Sequence, residues 1–204
     1  MKAEINIKQD QILEAAIRRF SHFGTAKTTL KEVADDMAVS KQALSYYFPD
    51  KQSLVQAVIE KLTNEYSHKL KAEIQQAQSV EEGLLKLTEV KGFFFEKYFM
   101  LAVQADHSEP GTTNTSQNWR QLLTEKESGV LAELFQKGMQ TGELKPLDAE
   151  KTSELLLETL YAFSRCVNAK GALPDTEAFK EVMSRQQEVI KIFYQGLKKE
   201  EWTN

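Results

Sequence analysis

The sequence predicts an all-α protein: a three-helix N-terminal unit of the helix-turn-helix type, then a larger helical domain, about nine helices altogether. Three observations carry this. Apolar residues recur at helical spacing along most of the chain. No segment sustains an alternation of apolar and polar residues, so no strand is expected. The four prolines, Pro49, Pro110, Pro146 and Pro174, each fall between helical segments, where a missing N–H does no damage. At 204 residues the chain can bury a core without staples.

The first helix is expected from about Ile7 to Phe23. Ile12, Leu13, Ala16, Ile17, Phe20 and Phe23 share one face. Gly24 ends it in a left-handed cap. Thr29-Leu-Lys-Glu32 reads as a capping box opening a short helix that ends near Met37. Ala38 and Val39 leave room only for a tight turn. Ser40 caps a third helix, Lys41 to Phe48, and Asp50 caps a long fourth one to about Gln76. Ser79-Val-Glu-Glu82 is a second capping box, opening a helix to about Ala105. Asp106 to Asn118 is polar, holds Pro and Gly, and reads as a loop. Helices follow at roughly Gln117–Thr141, Asp148–Ala169 and Asp175–Lys199. Gly142 and Gly171 end two of these, and Asp148 and Asp175 start two.

Composition narrows the function. A single cysteine, Cys166, excludes an internal disulfide framework and a Cys-rich zinc site, and suits a reducing compartment. His22, His68 and His107 lie far apart, and there is no Gly-rich phosphate loop. No cofactor, metal site or catalytic cluster is expected, and so no enzyme. Met1 to Asp10 is polar and charged with no apolar core behind it, so no signal peptide is expected and the location is read as cytoplasmic. The apolar run Gly92 to Val103 holds Glu96 and Lys97 and is too short to span a bilayer.

Two short helices behind a longer one make a helix-turn-helix unit. Val33, Ala34, Met37, Val39, Leu44 and Phe48 supply its apolar contacts. Lys41, Gln42, Ser45 and Tyr46 remain for the outside of the second short helix, a face that fits a major groove. Thr29 at a helix N-terminus, tyrosine hydroxyls and Lys51 are the expected phosphate partners. Three lysines here, Lys31, Lys41 and Lys51, also fit the blander reading of solvated surface charge.

Ile12-Leu13-x-Ala15-Ala16-x-x-x-Phe20-x-x-x-Gly24, Thr28-Thr29-x-x-x-Val33-Ala34 and Val39-Ser40-Lys41-x-x-Leu44-x-x-Tyr47-Phe48-x-x-Lys51-x-x-Leu54 together resemble the TetR/AcrR repressor signature. Gly142-Glu143-Leu144-Lys145-Pro146 is similar to the start of that family's last two helices. The resemblance implies a DNA-binding domain at residues 1–50 and an effector-binding and dimerisation domain at 51–204. It implies a DNA-contacting set of Thr29, Lys31, Ser40, Lys41, Gln42, Ala43, Ser45, Tyr46, Tyr47 and Lys51. Two positions depart from the usual pattern. Ala38 stands where a glycine is common, costing about 1 kcal/mol if its φ is positive. Ser45 stands where a tyrosine is common.

The expected function is a ligand-responsive regulator, a repressor binding a pseudo-palindromic DNA operator as a homodimer. A small apolar or amphipathic effector releases it. A helical adaptor without DNA binding and an all-α enzyme are the alternatives. The resemblance implies an effector pocket around the aromatic run, with Phe94, Tyr98, Trp119, Tyr161 and Cys166 as candidates, although an aromatic stripe at helical spacing is more often plain core. Glu96 either reaches a helix surface, pairs with Lys97 or Lys91, or is a buried carboxylate facing a cationic ligand. Leu156, Leu160, Phe163 and Val167 form one apolar stripe. Val182, Val189 and Phe193 belong to another, with Phe179, Met183, Ile190 and Leu197. These suit a two-fold four-helix dimer interface, with Arg165 and Arg185 either at its rim or, as is more common, on the ordinary surface.

The net charge of −4 argues against nucleic acid until it is divided. Residues 1–53 hold eight Lys and Arg against seven Asp and Glu, while residues 54–204 hold 18 against 23. The acidic balance belongs to the larger domain. So weakly basic a head makes few phosphate contacts.

Overall fold

The computed structural model describes residues 2–98, 114–168 and 176–199, with side chains at 8–98, 121–163 and 177–199. Eight helices are described: α1 (Lys2–Phe23), α2 (Leu30–Asp36), α3 (Lys41–Tyr47), α4 (Lys51–Gln76), α5 (Val80–Lys97), α6 (Asn114–Thr141), α7 (Ala149–Asn168) and α8 (Thr176–Leu197). No strand occurs among the described residues; Leu144 and Lys198 form an isolated antiparallel bridge. The loop expected at 106–118 begins outside the described residues, and its last positions belong to α6. Gly171 and Asp175 also lie outside them, and the helix expected to run to about Ala105 instead ends at Lys97, with Tyr98 in a turn. No helix among the described residues is long and apolar enough to cross a membrane.

The chain forms two compact units. One holds residues 1–64 and 97–120, the other 65–96 and 121–204. The first unit packs α1, α2 and α3 around Ile12, Ala16, Phe20, Val33, Ala34, Leu44 and Phe48. α1 begins five residues earlier than the apolar pattern indicates, because the pattern registers packing and not backbone propensity. Phe23 corrects another expectation. It is 50% exposed, and its ring carries the Arg19 guanidinium, 5.4 Å from the ring centre, in place of core neighbours.

Local chemistry sets the element ends. Gly24 takes φ 81° and donates to the Phe20 carbonyl, while the buried Thr28 hydroxyl donates to Gly24 O at 2.9 Å. Thr29 forms the full capping box with Glu32. The Ser40 hydroxyl accepts from Ala43 N, and Asp50 accepts from Ser53 N at 2.7 Å. Arg19 reaches from α1 to α2, making two bonds to Asp36 (2.7 and 3.0 Å) and one contact with Glu32 (3.2 Å). The guanidinium holds the Asp36 carboxyl below its usual range, mainly through the hydrogen bond. Glu32 is lowered chiefly by the Thr29 N–H. Depressed carboxyls contribute above their unfolded range and lose that contribution as pH falls through the folded value. This clasp therefore holds at neutral pH and opens only in acid.

The turn after α2 answers the question raised by Ala38. Ala38 N–H donates to Asp35 O and Val39 N–H to Ala34 O, both at 3.0 Å, which is a Schellman motif. Ala38 sits at its left-handed position with φ 54°. An alanine there carries strain that glycine avoids. Ala38→Gly is expected to raise stability by about 1 kcal/mol, read as an upward shift in thermal midpoint.

The second unit gathers Tyr66, Leu70, Leu84, Leu87, Leu131, Phe135, Leu156, Leu157, Leu160 and Ile190 into one core. Gly138 marks the closest approach. A Cβ there would lie 2.5 Å from Val80 Cγ2 and 2.9 Å from Leu144 Cγ. Gly138→Ala is expected to cost about 1–3 kcal/mol by overpacking, measurable by denaturant titration.

Candidate nucleic-acid interface

α3 is short, and its packing fixes which side faces outward. Leu44 and Phe48, four residues apart, are buried at 0% and 4% exposure. That places residues 42, 43 and 46 on the opposite side, with 45 on the flank and 41 at the N-terminal end of the helix. Lys41, Gln42 and Ala43 are exposed, and Tyr46 is 76% exposed with its ring edge-on to Tyr47. Ser45 and Tyr47 are half-buried. Lys31 is exposed on α2. These seven share one unit, with the exposed face of α3 among them.

Three expected partners have other duties. The Thr29 hydroxyl donates to Glu32 Oε2 and accepts from Glu32 N, and Ser40 caps α3. Lys51 is half-buried, and its ammonium donates to Ala26 O at 3.3 Å. Thr29 and Ser40 thus act first by fixing the helix ends.

The expected effector residues fall differently. Phe94 is half-buried and edge-on to Tyr66, with ring centres 5.2 Å apart. Tyr98 is buried but belongs to the first unit, whereas Phe94 belongs to the second. Glu96 is exposed, which overturns its reading as a buried carboxylate. Trp119 and Cys166 lie on α6 and α7 with side chains outside the described residues, as do Arg165 and Val167.

The buried carboxylate is Glu127 on α6, with no exposed side-chain surface. It accepts from the hydroxyls of Tyr66 and Tyr161 and lies 3.2 Å from Lys91 Nζ. Burial, and then the Glu127 charge, push the Tyr66 hydroxyl well above its ordinary range, so it stays a donor at neutral pH. A signal for Glu127 did exist in the sequence. Leu123, Val130, Leu131 and Leu134 flank it at helical spacing, so it interrupts an apolar stripe.

The dimer candidates also need correction. Leu156, Leu160 and Val182 are taken up by the unit's own core at 0–2% exposure. Val189 and Phe193 pack against that core, and Phe163 is half-buried. Leu156, Leu160, Val182, Val189 and Phe193 are thus covered, wholly or in part, within the unit itself. Among the described residues of α7 and α8 the exposed large apolar side chains are Leu155 (55%) and Ile192 (75%), and Arg185 is exposed beside Glu181.

A second unassigned role belongs to Glu143. It follows Gly142, whose φ of 77° ends α6. Its carboxylate accepts Val80 N–H at 2.8 and 3.0 Å, the opening of α5, and the Tyr194 hydroxyl at 2.9 Å. Glu82 completes that helix start from the other side. It accepts from Gln78 N while Ser79 Oγ accepts from Glu82 N, so the box expected at Ser79 is shifted by one residue on its return bond.

Known proteins agree with this arrangement. The model of the bacterial regulatory proteins of the tetR family matches residues 12–58, which span α2, α3 and their flanks. The HTH-type transcriptional regulator RutR of Escherichia coli K12 is 40% identical over 68 residues, 33% of this chain and 32% of that protein. The match thus spans about a third of such a relative's length. The regulator UidR of the same organism is 26% identical across 97% of this chain and 93% of its own. The crystal structure of a transcriptional regulator from Cytophaga hutchinsonii superposes with a TM-score of 0.82 at 25% identity, covering 94% of this chain and 99% of that one. These proteins are transcriptional regulators by name. The tetR-family signature is thus matched in the head, over residues 12–58, and the fold of a solved transcriptional regulator is matched along nearly the whole chain.

Proposed function

We propose that the chain is a ligand-responsive repressor that binds a pseudo-palindromic DNA operator as a homodimer in the cytoplasm. Residues 1–50 read DNA, and residues 51–204 bind a small apolar or amphipathic effector and hold the dimer. The observation that carries this is the exposed face of α3, Lys41, Gln42 and Tyr46 standing over buried Leu44 and Phe48. Lys and Gln meet base edges, and the tyrosine hydroxyl reaches a phosphate. Two such helices in a dimer enter successive major grooves. Effector and operator then oppose each other reciprocally, because linkage runs both ways.

The dimer is proposed through α7 and α8, with Leu155 and Ile192 at its centre. Ile192→Asp is expected to give monomers in analytical ultracentrifugation and weaken DNA binding. A dimer unchanged by Ile192→Asp and Leu155→Asp together removes those helices from the interface.

The reading is tested by electrophoretic shifts on DNA from upstream of the chain's own gene, at several salt concentrations. With Lys41 on base edges, Lys31 and Lys51 give at most four cationic phosphate contacts per dimer, so log K should fall with log salt at a slope of about −4 or shallower. No preference over random DNA defeats the reading.

A further inference from the structure

Glu127 is the only charged side chain among the described residues that is fully buried. Three helices around its own α6 supply its surroundings. Tyr66 of α4 and Tyr161 of α7 each donate a hydroxyl hydrogen to it, the second at 2.7 Å. Lys91 of α5 brings Nζ to 3.2 Å from Oε2 and to 4.5 Å above the centre of the Tyr161 ring. Phe94, three residues beyond Lys91, walls the Tyr66 side. A carboxylate beside an aromatic face, with hydroxyls holding the carboxylate in place, is the chemistry that recognises an ammonium ion. Here the ammonium is the chain's own.

Lys91 is the charged member nearest water, with 14% of its side chain exposed. Its stem is long and unbranched, so the charge can move to solvent while the carbons stay packed. Electrostatics then decide what can replace it. If Lys91 left alone, Glu127 would remain an uncompensated buried charge, which is strongly unfavourable. A cation entering as Lys91 leaves keeps Glu127 paired throughout. An anion would meet Glu127 at close range in apolar surroundings, and a neutral ligand would compensate neither charge.

We infer that Lys91 is a built-in competitor and that the effector is an organic ammonium ion with an aromatic or apolar body, which takes its place on Glu127. This rests on the effector-responsive reading above. The residues also give the ligand a route to the helix frame. Glu127 bonds α4 through Tyr66 and α7 through Tyr161, so a cation larger than the lysine head group must shift one or both of those contacts.

The test pairs two probes of similar size and opposite charge, 2-phenylethylammonium and phenylacetate, titrated calorimetrically into the full-length protein at pH 7. The expected result is ammonium binding to the wild type and at least tenfold tighter binding to Lys91→Ala, which removes the competitor. Lys91→Ala/Glu127→Gln should lose that gain, and phenylacetate should bind none of them. If Lys91→Ala does not fold, Lys91→Gln, which retains a hydrogen-bond donor beside Glu127, takes its place. Ammonium binding that ignores the Glu127 substitution overturns the inference. So does phenylacetate binding of equal strength, or no ammonium binding to the Lys91 variants. Operator affinity is measured in parallel. Ammonium binding by these rules without loss of operator affinity leaves the cation site standing and defeats the effector-responsive reading.

Discussion

A chain carrying Lys41→Ala, Gln42→Ala and Tyr46→Ala together is expected to bind its operator about 1000-fold more weakly while melting like the wild type. Each good base-edge contact contributes about 1–3 kcal/mol of discrimination, and a dimer loses every contact twice. The three side chains are exposed, so their removal should change stability by no more than about 0.5 kcal/mol. Leu44→Ala is the complementary case. Leu44 is fully buried on the other face of α3, and its truncation should cost about 2–5 kcal/mol. The pair separates reading from folding. Fluorescence anisotropy on an operator duplex gives the first quantity, and urea denaturation the second. A triple variant that binds normally removes α3 from the interface.

Glu143→Ala is expected to be among the most destabilising single changes in the second unit, at about 3 kcal/mol. The carboxylate accepts one backbone N–H at the start of α5 and one tyrosine hydroxyl from α8. Hydrogen bonds to a charged group contribute about 1.5–3 kcal/mol each, and the partners left behind are partly buried. Around it, Lys145 N–H donates to Leu197 O and Lys199 N–H to Glu143 O, so one short segment ties three helix ends. The same contact gives the unit a pH signature. Burial, the bond to Glu143 and its charge push the Tyr194 hydroxyl up to about 12. The folded chain thus holds this proton more tightly than the unfolded chain. The contribution is complete below the ordinary tyrosine range near pH 10 and is lost as pH rises towards 12. Tyr66 acts in the same direction. Thermal melts of wild type and Tyr194→Phe should differ at pH 9 and converge towards pH 12, with a shallower alkaline decline in the variant. Parallel declines would contradict the assignment.

What the sequence disclosed, it disclosed through local chemistry. Thr29, Ser40, Asp50 and Asp148 cap helices from within three residues of their targets, and Gly24 and Gly142 take their left-handed turns between adjacent segments. Such signals sit in a short window, and the helix order followed from them. The outward face of α3 was legible for the same reason, since Leu44 and Phe48 fix it by spacing alone. The parts that were missed depend on distant residues. Glu127 meets Tyr66 from 61 positions away, and Glu143 meets Val80 from 63. An apolar stripe reports only that something covers it. On α7 and α8 the cover for Leu156, Leu160 and Val182 is the unit's own core. Glu96 stands out in the sequence because aromatics surround it, yet neighbours along the chain do not set burial on a helix. Leu123, Val130 and Leu131, three and four residues from Glu127, predict burial better.

The central claim is that α3 of a two-fold dimer reads DNA. The most direct test is selection from a random double-stranded library by the purified full-length protein, followed by sequencing of the bound fraction. The account predicts one enriched motif with two-fold symmetry, its half-sites one helical turn or a multiple apart. Enrichment should vanish with the Lys41, Gln42 and Tyr46 triple variant. A bound fraction with no symmetric motif, or the same motif selected by the triple variant, would contradict it.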